Sequence, residues 1–150
     1  LSVQVEGPAL PPLPSLPEAR QPAVEAGLAA IEAADPRFDR FRFLELAKTR
    51  FMSVKASLAA WQPESCQALM LPALYQSWSA QVRDLAAQRI RNVFDDLQVG
   101  DPQICWVSPG PMLQHVTVQL NAMSLHYAFN EATRQLVFGD DQTMRAFTEY

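Results

Sequence analysis

The chain reads as an α+β domain, with N-terminal helices laid on one face of a curved antiparallel sheet. Three observations predict this class. Apolar side chains recur every three or four residues over 38–60 and 72–88, which is the helical period. From Ile90 onward the period falls to two. Turn-forming groups at 100–102, 108–111 and 130–134 then cut the second half into strand-length pieces.

The first element carries Pro8, Pro11, Pro12, Pro14, Pro17 and Pro22 within residues 1–22. Repeated proline fixes φ and removes backbone donors, so this stretch is expected to be a proline-rich linker in extended form, rising about 3.1 Å per residue. A spacer is preferred to a proline-rich ligand, because Arg20 is poorly placed to flank the PPLPSLP run. The domain is expected over 23–150, truncated in its last strand.

Residues 23–34 are alanine-rich, with Val24, Leu28 and Ile31 at helical spacing. Asp35 is expected to cap a second helix that has Pro36 at its first position. That helix, 38–60, aligns Phe41, Leu44, Ala47, Phe51, Val54 and Leu58 in one stripe, widened by Phe38, Phe43, Leu46 and Met52. A helix so apolar is expected to be covered on more than one side, with Asp39–Arg42 and Glu45–Lys48 pairs on its solvated flank. Pro63 opens a short helical piece to Leu71, and Pro72 opens a helix to Gln88. There Leu74, Trp78, Val82 and Leu85 should face inward, and Gln76, Ser79, Arg83 and Asp84 outward.

The strands follow as 90–99, 103–107 and a ribbon over 112–140. In the ribbon Val116, Val118, Leu120 and Ala122 share one parity, whereas Met123, Leu125, Tyr127 and Phe129 share the other. One extra residue moves every later side chain to the opposite face, so a β-bulge or bend is expected near 121–124. Residues 135–138 should return along it, turn at 139–142 and lead into a last strand from Thr143.

Composition excludes several classes. The chain has 150 residues, enough for one domain with a real core, and a formal charge of −4, which argues against nucleic-acid binding. No run approaches the roughly 18 apolar residues of a membrane span. Cys66 and Cys105 form neither a disulfide framework nor a metal spacing. Charge is nevertheless uneven: between Arg37 and Lys55 six cations face two acids, a local excess of four.

For chemistry the candidates are His115, His126, Asp95, Asp96 and Tyr127. Neither histidine has a carboxylate at ligand spacing, and adjacent strand residues such as Asp95 and Asp96 point to opposite faces. There is no phosphate loop, nucleophile elbow or cysteine constellation.

Taken together, the Asp35-Pro36-x-Phe38-Asp39 helix start, the helix end over 51–61, the helix over 72–88, and the HYAFNEATRQLVFGD hairpin followed by FTEY resemble the Tim44-like domain. This is the C-terminal domain of the scaffold subunit of the mitochondrial import motor, with bacterial relatives. The resemblance covers residues 23–150. It implies a cone fold similar to nuclear transport factor two, with helices packed on a strongly bent antiparallel sheet. It also implies a non-catalytic scaffold or lipid-binding domain that needs no cofactor or metal. Such a domain sits peripherally on, or anchored to, the inner (cytoplasmic) membrane, and here a bacterial setting is favoured over a mitochondrial one.

Docking is attributed in the family to the first two helices, which makes Arg37, Arg40, Arg42, Lys48, Arg50 and Lys55 the expected contacts with anionic phospholipid or a membrane-protein complex. No nucleic-acid partner is expected, and self-association is compatible with the resemblance. A concave pocket would be lined by Phe51, Trp78, Trp106, Met123, His126 and Tyr127. The second reading is a small-molecule cone fold of isomerase or dehydratase type that uses pocket His, Asp or Tyr. Two departures stand out. Thr133-Arg134 occupies the hairpin turn where the family usually has Thr-Gly, and the first helix carries Glu25 and Glu32 with no cation of its own.

Overall fold

The computed structural model describes Leu10, Glu18 and residues 20–150. Apart from Leu10, Glu18 and 20–22, the proline-rich linker expected over 1–22 lies outside the described residues. Helices come first: α1 (Gln21–Ala34), α2 (Arg40–Ala60), a 3₁₀ segment (Pro63–Leu69) and α3 (Pro72–Ala87). Four strands follow: β1 (Ile90–Val99), β2 (Gln103–Ser108), β3 (His115–Asn130) and β4 (Leu136–Glu149). The α+β class with N-terminal helices is therefore as expected. Each of β1, β2 and β4 pairs with β3, and β2 runs antiparallel to it from Gln103 opposite Gln119 to Ser108 opposite His115. β3 is buried at both parities from Val118 to Ser124, so both of its faces are covered there.

Two compact units divide the chain, and each has its own interior. In the unit made of residues up to Lys48, 99–122 and 146–150, α1 packs on β2 with Val24, Gly27, Leu28 and Ile31 buried. At Gly27 the helix approaches the strand closely. A Cβ there would come within 2.7 Å of the Val107 side chain, so glycine is what lets the helix lie down on the strand. Asp35 does not cap α2. It closes α1, and its carboxylate accepts the Arg37 amide at 3.0 Å in a turn. The oxygen that takes an orphan amide of α2 belongs to Asp39, which accepts from Arg42 N at 2.9 Å.

In the unit of residues 49–98 and 123–145, α3 packs against the 3₁₀ segment, whose Pro63 and Cys66 are buried. The face of α3 differs from the periodicity. Ser79 and Val82 are buried, Trp78 is half-buried and Leu74 is 57% exposed. Ser79 satisfies its hydroxyl on the Gln76 carbonyl, so a polar residue can occupy the inner face without an orphan donor. The end of α2 is tied down by Ser57 Oγ donating to Gln62 O at 2.6 Å and by the Trp61 indole N–H donating to Ile90 O at 3.0 Å. Asn130 stitches the β3–β4 turn: its Oδ1 accepts the amides of Ala132 and Thr133, and its Nδ2 donates to Gln88 O.

β3 is one continuous strand through 121–124, its register with β2 shifts between Ile104 and Trp106, and Asp96 in β1 has φ +52°. β4 is one strand where a turn at 139–142 was expected. A trace of that turn survives in Gly139, at φ +69°, and in the Asp140 carboxylate, which accepts the Gln142 and Thr143 amides.

Candidate functional site

The basic stretch of α2 divides into cations that are engaged and cations that are not. Arg40 donates through Nε to Glu32 at 2.5 Å and through Nη1 to Glu25 at 2.8 Å, clamping α2 to α1. The side-chain hydrogen bond from Arg40, more than its charge, holds the Glu32 carboxyl below its usual range, and both carboxylates together push the Arg40 guanidinium up. Arg37 is spent locally on Asp35 at 3.2 Å. Lys55 Nζ lies 5.2 Å from the centroids of both Phe51 and Phe94. Arg42, Lys48 and Arg50, by contrast, form no ion pair among the described residues, so the expected Asp39–Arg42 and Glu45–Lys48 pairs are not formed.

Nor is α2 covered all round. Phe41 is 73% exposed, and Leu46 and Met52 are exposed by nearly half, while Ser57 is its one residue in the buried class.

Each unit also holds a cleft. In the first, about 370 Å³ lies between α1, α2 and the start of β2, walled by Val24, Leu28, Leu44 and Ile104 and edged by Glu25 and Arg40. In the second, about 380 Å³ lies between Met52, Lys55, Ala56 and Ala59 of α2 and residues 91–95 and Leu97 of β1. Its lining is chiefly apolar, with Lys55, Arg91 and Asp95 as its charged members.

Of the residues expected to line a pocket, Phe51 is half-buried beneath Lys55, and Met123 is buried in β3. Trp106 is 56% exposed. His126 stacks on Phe94 at 4.4 Å and meets Phe138 at 5.1 Å. Tyr127 stacks loosely on Phe129 at 6.2 Å, and burial, reinforced by Asp95 and Asp141, raises its phenol. None of these six lines either cleft described above.

Of the candidates for acid–base chemistry, Asp95 borders the second cleft, is exposed and acts electrostatically on Tyr127; Asp96 and His115 are exposed, and His126 is sandwiched between rings. Among the described residues no group of three His, Cys, Asp or Glu could hold a metal ion, and no helix is long and apolar enough to cross a membrane.

Sequence reasoning missed Arg91 and Phe94, which wall the second cleft. Their strand read only as mixed, and the one available signal was an arginine and an aromatic three apart beside Asp95. Compared with known families, residues 24–150 match the family model described as the Tim44-like domain. A search of curated proteins returned no match.

Proposed function

The chain belongs to the Tim44-like domain family, whose members have a membrane-associated or import-related role, and from that premise we propose that it docks on anionic membrane through α2, steadied by α1. The observation that carries this reading is the set Arg42, Lys48 and Arg50, which form no ion pair among the described residues, on a helix that also bares Phe41, Leu46 and Met52. Each cation near an anionic surface contributes about 1 kcal/mol, and each apolar side chain adds burial. Arg40 is a strut within this arrangement: its guanidinium faces two carboxylates and is not available to lipid.

The test is co-sedimentation with vesicles containing phosphatidylglycerol at low salt. The Arg42→Glu/Lys48→Glu/Arg50→Glu chain should pellet less than the parent chain, and 0.5 M salt should weaken the parent's binding toward the level of that variant by screening (a Debye length of about 4 Å). Equal pelleting of the two chains would sink the proposal. Capture by a membrane-protein complex without vesicle binding would move the contact from lipid to protein.

A further inference from the structure

Between Asp101 and Glu131 the chain contains no Asp, Glu, Lys or Arg, although charged residues make up 19% of the whole. Most of that run is β2 and β3, where an absence of charge follows from burial. The β2–β3 loop is different. Residues 111–115 are all exposed, Met112 is 97% exposed and Leu113 is 56% exposed.

A surface loop has every reason to carry charge, and this one offers water only proline, glutamine, histidine and apolar side chains. It is also shaped rather than slack. Pro109 and Pro111 fix φ on either side of Gly110, and the Leu113 carbonyl oxygen packs so closely on Gly110 that a Cβ there would collide with it. Trp106, 56% exposed, stands two residues before the end of β2, about 7 Å along the strand from Ser108. Val107, between them, points the other way, against Gly27 of α1.

We propose that the β2–β3 loop is a second membrane contact, in which Met112 and Leu113 enter the acyl boundary and Trp106 lies at headgroup depth. It rests on the membrane-docking reading above but uses different chemistry. Charge is costly below the headgroups, and a loop with none on it can enter the boundary without desolvating an ion. Met and Leu supply apolar area on entry, and an indole suits the interface because one end is apolar and the other donates a hydrogen bond. With the membrane-docking reading as its premise, the occupant of the loop is lipid, and the contact carries no ion for salt to screen. Binding through the loop should therefore resist salt, whereas binding through α2 should not.

The experiment uses the 150-residue chain with vesicles whose phosphatidylcholine carries brominated acyl chains, with and without phosphatidylglycerol. Bromine should quench tryptophan emission on the parent chain and not on Trp106→Phe, which separates Trp106 from Trp61 and Trp78. Met112→Asp/Leu113→Asp, shown folded by circular dichroism, should partition about tenfold or more weakly and lose the quenching. The α2 triple variant should bind anionic vesicles less but keep the same quenching per bound molecule.

A double variant that partitions like the parent, or bound parent chain without Trp106 quenching, would overturn the loop contact and leave the α2 reading standing. Quenched binding to neutral vesicles by a triple variant that also equals the parent on anionic ones would overturn the α2 reading alone.

Discussion

The guanidinium of Arg91 sits 4.0 Å from the ring centroid of Trp61, while its Nε and Nη2 hold one Glu131 oxygen at 3.0 and 2.9 Å. Its Nη1 also donates to Ala59 O at 2.8 Å. Trp61 needs this support, because it leaves α2 at φ +56°, a region that L residues other than glycine disfavour. Arg91→Ala should therefore lower stability by about 1–3 kcal/mol. Arg91→Lys should recover less than half of the loss, since an ammonium lacks the planar fork. Urea denaturation of the three chains checks both.

At the β3–β4 turn, Arg134 adopts φ +59°, the conformation that glycine takes freely. Offsetting the strain, its guanidinium lies 4.8 Å from the Phe129 centroid. Strain of about 1 kcal/mol against an exposed cation–π contact of about 0.5–1 kcal/mol predicts a near balance. Arg134→Gly should lie within about 0.5 kcal/mol of the parent, and Arg134→Ala, which keeps the strain and loses the contact, should be about 0.5–1 kcal/mol less stable. Thermal melts that reverse this order would refute the balance.

Asp140 controls the response of the same hairpin to acid. The Thr143 hydroxyl first, then the Gln142 amide and the Arg145 guanidinium, hold its carboxyl down to about 2 from the ordinary 3.8. A folded value below the unfolded one stabilises above the unfolded value and loses that stabilisation as pH falls through the folded one. The loss should therefore run from about pH 4 down to about pH 2, and Asp140→Asn should flatten stability across that window. An unchanged acid limb in denaturation at stepped pH would contradict this.

Arg40 and Arg42 are two residues apart and should respond in opposite ways. Arg40→Ala leaves Glu25 and Glu32 facing each other without their shared cation, so the melting temperature should fall while vesicle binding persists. Arg42→Ala should weaken binding with the melt unchanged. Melting and co-sedimentation on the same samples separate the two outcomes.

The packing of α1 on β2 depends on the missing side chain at position 27. Gly27→Ala drives a methyl into Val107 and should cost about 1–3 kcal/mol despite the better helix propensity of alanine. In the double change with Val107→Ala, room opens for that methyl, and a coupling energy near zero in the double-mutant cycle would show that the two residues do not meet.

Where local chemistry decides, the elements were legible in the sequence. Pro63 and Pro72 open helical segments where missing amides do no harm, and the period of two from Ile90 marks the strands. Choosing between Asp35 and Asp39 as the cap of α2 was beyond it, because a helix cap and a turn use the same carboxylate oxygen. The fate of each cation was equally hidden. Arg40 finds its acids eight and fifteen residues back on another helix, and only the packing of α1 on α2 brings them together. The register shift between β2 and β3 was hidden too, because register is set between two strands and leaves no mark in the alternation of either one.

With β3 as the common partner of the other three strands, synthesis has an ordering consequence. A ribosome delivers β1 and β2 before the strand that either of them pairs with, and both leave the exit tunnel with unmatched edges. The helices can form at once from local contacts, but no ladder of this sheet closes until residues 115–130 have emerged. A chain whose emerged part stops just short of His115 therefore displays the helices described above and no ladder of this sheet, and that is the stage at which a nascent-chain chaperone would have most to hold.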